Sequence, residues 1–188
     1  MRIIGGEAKG RTLSFPSGSS ERPTSDFLRE TLFNLLGFLE DKTFLDLFAG
    51  SGSVGVEAAS RGAQEIYFVE KNIKLAEIIK RNISTCSQDK KFIIIAKDVE
   101  HALIDFSKKR CEFDIIFADP PYNRGLVEKT LNLLNKYQII KEESIIVIQH
   151  SIKENIPETI FEKINLVDQR KYSENYLTFL KWRKNDAG

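Results

Sequence analysis

Between Thr43 and Gln149, five short apolar runs, near 43–48, 65–70, 92–96, 113–118 and 144–149, alternate with segments near 53–61, 72–86, 99–109 and 125–136 whose apolar residues recur at helical spacing. Strands separated by helices cannot pair through tight hairpins. Each must lie parallel to its neighbour with the helix as crossover, so the pattern predicts an α/β fold, a doubly wound Rossmann-like sheet covered on both faces. Ligands of such sheets sit outside the carboxyl ends of the strands. The residues that follow each run are therefore the ones to read for chemistry.

The flanks extend this plan. Residues 2–15 carry two strand-like runs about Gly5-Gly6 and Lys9-Gly10, a hairpin outside the main sheet, and residues 16–25 read as a Ser/Pro/Gly-rich loop. Thr24 or Ser25 is placed to cap a helix that carries Phe27, Leu28, Thr31, Leu32, Leu35 and Leu36 on one face. Gly62 is placed to terminate the helix that follows the first strand. At the other end, Ile164 to Tyr172 and Tyr176 to Trp182 alternate like a hairpin about Ser173-Glu174-Asn175. The expected division is an extension of hairpin, loop and helix over 1–40, and a core domain over 41–184.

Three strand ends carry the chemistry. The run Thr43-Phe44-Leu45-Asp46-Leu47 opens into Phe48-Ala49-Gly50-Ser51-Gly52 and then a helix start. Gly50 and Gly52 allow a tight turn and close approach of a ligand, as glycines do in dinucleotide folds. Asp46, however, would repel a pyrophosphate and can receive an amino-acid ammonium, so a sulfonium nucleoside suits the loop better than NAD. Glu70 ends the second strand about 20 residues after the glycines, the spacing of a carboxylate that grips ribose hydroxyls. After the third strand, Asp98 is equally well placed to accept from an adenine amino group, with the Val99 N–H on a ring nitrogen, or to cap the next helix.

After the fourth strand stands Asp119-Pro120-Pro121-Tyr122. An exocyclic amine of a nucleobase is a poor nucleophile because its lone pair is conjugated into the ring. The Asp119 carboxylate and the Pro120 carbonyl can each accept one N–H and draw the pair out of conjugation, while the two prolines fix φ near −65° and hold the acceptors in place. Tyr122 offers a face on which a flipped base can stack. Asp-Pro-Pro is also ordinary turn chemistry, so the tetrapeptide gains weight only through the upstream loop and ribose acid.

Together with Arg2-Ile3-Ile4-Gly5-Gly6, Lys9-Gly10-Arg11, Arg22-Pro23-Thr24 and Arg29-Glu30-Thr31-Leu32-Phe33-Asn34, these motifs resemble the RsmD family, bacterial 16S ribosomal RNA guanine-N2 methyltransferases of class I, over residues 2 to about 182. The resemblance implies S-adenosylmethionine as methyl donor, S-adenosylhomocysteine as product and no metal. It implies an antiparallel C-terminal strand and, as target, guanine 966 of 16S RNA in the small ribosomal subunit or an assembly intermediate. It places Asp46, Gly50, Ser51, Gly52, Glu70, Lys71, Asp98 and Val99 on the cofactor, with Arg22 and Thr24 beside them, and Asp119, Pro120, Pro121 and Tyr122 on the base. Arg2, Lys9, Arg11, Arg29 and Arg124 would meet RNA. The chain departs from the family at Gln149, where relatives often have Glu.

Composition excludes other classes. The 188 residues, 41% hydrophobic and 29% charged, suit one ordinary α/β domain with a small extension. Cys86 and Cys111 lack the spacing of a zinc site or a disulfide scaffold, and no apolar run approaches a bilayer span, so a cytoplasmic protein is expected; a monomer is the expected form. A net charge of +1 requires the basic residues to be gathered on one face if RNA is bound. His101 and His150 are expected to be bland, with His150 a minor candidate for substrate contact. A DNA adenine-N6 methyltransferase would keep the chemistry but need a target-recognition domain. A non-catalytic RNA-binding assembly factor would show decay of the loop or the tetrapeptide, and both are whole.

Overall fold

The computed structural model describes residues 1–16, 25–87, 89–156 and 164–182. Seven strands form one sheet in the order β3-β2-β1-β4-β5-β7-β6. The chain divides into two compact units, Met1–Asp98 and Val99–Gly188.

In the first unit, β1 (Thr43–Leu47), β2 (Glu65–Val69) and β3 (Lys91–Ile95) pair in parallel, Thr43 opposite Glu65 and Glu65 opposite Lys91. β1 is buried along nearly its whole length, as a strand covered on both faces must be. Crossovers run through α2 (Ser53–Ser60) and α3 (Ile73–Ile83), and α1 (Asp26–Leu36) precedes β1. Ser25, not Thr24, caps α1, its hydroxyl accepting the Leu28 N–H at 3.2 Å. Gly62, at φ 113°, lies just past the end of α2, where Ala63 N–H returns to the Ala58 carbonyl at 3.0 Å. That is the C-terminal closure expected of it.

The second unit holds α4 (Val99–Lys108), β4 (Phe113–Ala118), α5 (Leu126–Lys136), β5 (Ile140–Ser151), β6 (Ile164–Tyr172) and β7 (Asn175–Trp182). β4 and β5 are parallel, while β7 runs antiparallel to both β5 and β6. The antiparallel C-terminal strand is thus β7, and the hairpin turns at Ser173, at φ 55°. β5 is twice the expected length, because its polar beginning pairs through a bulge: Phe113 faces Ile140, but Ile115 faces Ile145. Ser144 closes the bulge by donating to the Phe113 carbonyl at 2.6 Å and accepting the Lys141 N–H at 2.7 Å. No alternation marks that segment, so hydropathy could not reveal it.

The N-terminal segment is a minimal ribbon with a single bridge, Arg2 to Thr12, rather than a hairpin of full strands. It is anchored on α2. Gly5 and Ile4 N–H groups donate to the two Glu57 carboxylate oxygens, both at 2.8 Å, and Glu7 N–H donates to the Ser60 carbonyl at 2.8 Å. A side chain at Gly6, where φ is 76°, would meet that carbonyl at 1.7 Å. Glu57 also pairs with Arg61 at 2.8 Å and, at the longer distance of 3.5 Å, with Arg29.

Arg29 is accordingly reassigned. Expected to contact RNA, it is fully buried on α1, donating to the Arg2 carbonyl at 2.9 Å and to Asp26 at 2.7 Å. The helical pattern misled here because its long stem lies on the buried face with Leu28, Leu32 and Phe33 while its head finds the Glu57 carboxylate. Removing one partner of a buried pair leaves an uncompensated charge, so Arg29→Ala should lower stability by about 3–5 kcal/mol. Urea unfolding checks this, and a variant as stable as the parent would return Arg29 to the surface.

Candidate active site

The turn from β1 into α2 supplies most of the first unit's candidate residues. Phe48, Gly50 and Gly52 all have left-handed backbones, at φ 65°, 56° and 76°. Phe48 is strained there, whereas the glycines are not, so three bends within five residues wrap the chain into a cradle. Gly52 is the N-cap of α2 and has no side chain to cap with. Asp46, buried at the end of β1, substitutes: its Oδ2 accepts the Gly55 N–H at 3.0 Å. Gly55 itself is obligatory, since a Cβ would sit 2.3 Å from the Phe68 ring on β2.

Glu70, just past β2, has a similar local job. One carboxylate oxygen accepts the Gly50 N–H at 2.8 Å and the other the Asn72 N–H at 2.7 Å. It joins the glycine loop to the start of α3. Asn82, which motif reading passed over, completes the support from α3 by donating to the Ser51 carbonyl at 2.8 Å and exchanging two bonds with Ser14. Its signal was a single polar residue in the buried stripe of an amphipathic helix. Lys71 and Asp98 are exposed beyond β2 and β3, and Val99 is buried at the start of α4. Arg22 and Thr24 lie outside the described residues.

In the second unit, Asp119 and Pro120 follow directly on β4, with Pro120 buried, Pro121 exposed, and Asp119 and Tyr122 half-buried. Gln149 of β5 donates from Nε2 to the Tyr122 hydroxyl at 2.7 Å and to Asp119 Oδ2 at 3.2 Å. The Tyr122 phenol is pushed well above its ordinary range, first by burial and then by the Asp119 charge, so it remains a neutral hydroxyl. The departure at Gln149 thus falls in the same cluster as the tetrapeptide. The chain then turns at Asn123, φ 58°, whose N–H donates to Glu154 at 2.9 Å, and Arg124 is exposed beside it.

His150 lies in the interior. It is buried, with Nε2 2.9 Å from the Thr178 hydroxyl and Nδ1 3.1 Å from the Ser151 carbonyl, and burial holds its pKa below the usual histidine value. Alternation along β5 places it on the face opposite Gln149. Among the described residues no group of three or more His, Cys, Asp or Glu is disposed to hold a metal, and no helix is long and apolar enough to cross a membrane.

A glycine cradle braced by acids at the ends of β1 and β2, within a seven-stranded sheet whose β7 runs antiparallel to β5, defines the class I methyltransferase architecture. The chain belongs to the family described as Conserved hypothetical protein 95, the RsmD family, whose model matches residues 1–181. It is 41% identical over 155 residues to ribosomal RNA small subunit methyltransferase D of Buchnera aphidicola from Acyrthosiphon pisum, covering 82% of this chain and 80% of that one. The protein of the same name from Escherichia coli K12 is 35% identical over 158 residues, 84% of this chain and 78% of its own. Among solved structures, a hypothetical protein of Thermus thermophilus superposes with a TM-score of 0.82 at 32% identity, covering 96% and 99% of the two chains.

Glu70 braces the loop, and the sequence spacing predicts that it contacts the cofactor ribose. Glu70→Ala should therefore weaken S-adenosylmethionine binding by about 1.5–3 kcal/mol, the usual worth of hydrogen bonds to a charged group. Calorimetry measures it, and unchanged affinity in a folded variant would remove Glu70 from the cofactor site.

Proposed function

We propose that this protein transfers a methyl group from S-adenosylmethionine to the exocyclic N2 amine of a guanine in 16S ribosomal RNA, the base identified by the family resemblance as guanine 966. Two observations carry the reading: an intact, acid-braced glycine cradle in the first unit and, in the second, an Asp119-Pro120-Pro121-Tyr122 turn whose polar side chains are held by Gln149. Both lie at strand ends, where sheets of this kind bind ligands. Two relatives named ribosomal RNA small subunit methyltransferase D support the choice of RNA over DNA.

The residues present fit the donor. A Cβ built on Gly50 meets nothing within 4 Å, so the loop leaves open space over its backbone. Asp46, Gly50, Ser51, Gly52 and Glu70 would hold the amino-acid and ribose parts and Asp98 and Val99 the adenine, with Lys71, Arg22 and Thr24 as further cofactor contacts. Bound there, S-adenosylmethionine supplies an electrophilic methyl on a sulfonium.

Asp119 and the Pro120 carbonyl align the amine by accepting its N–H groups, and the Tyr122 ring supports the base. An amine that has gained a methyl is strongly acidic, so its proton passes to Asp119 or to water without a dedicated base, and alignment dominates the rate. Outside this centre, Arg2, Lys9, Arg11 and Arg124 are exposed, with Arg11 also donating to the Thr85 carbonyl. Segment 1–40 is proposed as the extension on which these N-terminal cations grip phosphates.

Two measurements test this. Asp119→Ala should nearly abolish methyl transfer to small-subunit particles while cofactor affinity stays close to normal, and Asp119→Asn should retain measurable turnover because its amide oxygen still accepts one N–H. Turnover of Asp119→Ala at the parental rate would remove the tetrapeptide from catalysis. For the RNA surface, replacing Lys9 and Arg11 together with Ala should make the slope of log K against log salt shallower by about 1.4, the contribution of two phosphate contacts to a single strand. Parallel lines of equal intercept for parent and variant would place the RNA elsewhere.

A further inference from the structure

Gln149 is 3% exposed, and both hydrogens of its amide nitrogen are used on the two polar side chains of the tetrapeptide, Tyr122 at 2.7 Å and Asp119 at 3.2 Å. Its Oε1 is buried without a hydrogen-bond partner among the described residues. A glutamine present only to fill space would have both ends of the amide satisfied or would be apolar, since an unmet buried acceptor is destabilising. The orientation of this amide is therefore set by what it donates to.

We propose that Gln149 is a positioning residue for methyl transfer: its neutral amide orients Asp119 and Tyr122 and keeps the Asp119 carboxylate an acceptor for the substrate amine. This rests on the function inferred above. An ionised carboxylate has about four acceptor positions, so Asp119 can take a hydrogen from Gln149 and from Tyr122 and still receive the amine. The Tyr122 hydroxyl bonds to Asp119 as well, and burial together with that negative charge keeps it protonated. A donor from Gln149 favours the charged, accepting form of Asp119, whereas an acid in its place would oppose it.

Among the described residues, few other titratable groups face this cluster. From the segment after β5, Glu154 reaches toward Tyr122 while accepting the Asn123 and Ser151 N–H groups. On β5 itself, His150 is turned away and bonded to Thr178. On β7, the residue opposite Gln149 is Leu177, which carries no charge.

Two variants separate positioning from packing. Gln149→Glu keeps the shape but sets a second carboxyl against Asp119. Two acids that close cannot both ionise, so the pair retains a proton and its folded-state pKa is raised. Activity that needs Asp119 as an acceptor is then lost as pH falls through that raised value, and the acid limb of kcat against pH should move upward by about one unit or more relative to the parent. By the same sign, the variant's stability relative to the parent is highest in acid and declines as pH rises. Gln149→Leu removes the donors, and kcat should fall on the order of 10²-fold, the usual effect of misaligned reacting groups, with the dissociation constant for S-adenosylmethionine unchanged.

The assay is transfer of labelled methyl from S-adenosylmethionine to small-subunit particles from cells that lack this protein, with thermal unfolding followed in parallel. Superimposable pH profiles for parent and Gln149→Glu, or a parental kcat in folded Gln149→Leu, would overturn the proposal while leaving the inferred function standing. Should Gln149→Leu fail to fold, the near-isosteric Gln149→Glu profile decides the matter. No transfer by the parent itself would overturn the inferred function and this proposal with it.

Discussion

A glycine turn that opens a helix cannot cap itself, and the first unit is organised around that constraint. Four N–H groups at a helix start need acceptors, and Gly52 has no side chain to provide one. Asp46 answers from β1 through the Gly55 N–H, while Glu70, at the end of β2, holds the turn that precedes the helix through the Gly50 N–H. Because these acids lie on neighbouring parallel strands, the cradle's shape depends on sheet register. Its bends, including the strained Phe48, persist only because the surroundings over-determine them.

The same solution recurs at the N-terminal ribbon. Its own backbone bonds, such as Ile3 N–H to the Arg11 carbonyl, are supplemented by Glu57 on α2, which binds its Ile4 and Gly5 N–H groups while pairing with Arg29 and Arg61. Buried carboxylates are destabilising unless every lone pair is used. Here they are used on backbone, which ties distant segments of sequence to one helix. The proposed phosphate grip of Lys9 and Arg11 would then sit on a ribbon whose position is set by α2.

In the second unit the constraint is a different one. Asp119 and Tyr122 are polar groups at the end of a buried strand, and they are aligned by an amide on the next strand instead of by backbone N–H groups. A neutral donor suits this place, because it orients a carboxylate without pairing its charge away.

The strand and helix order, the glycine turn, the acids at strand ends and the tetrapeptide were all legible in the chain, because each rests on local periodicity or on turn chemistry within a few residues. What the sequence could not decide was whom a polar residue meets. Arg29 looked like surface and is core, His150 stood near a strand end but faces away, and Gln149 was only a departure from a pattern until β5 was set beside β4. Glu57 was a lone acid in an otherwise small and apolar helix, a hint whose meaning lay some fifty residues away at Gly5. Local conformation follows from neighbours in sequence, whereas the partner of a buried polar atom is set by which strands and helices are brought together. Only the tertiary structure determines that.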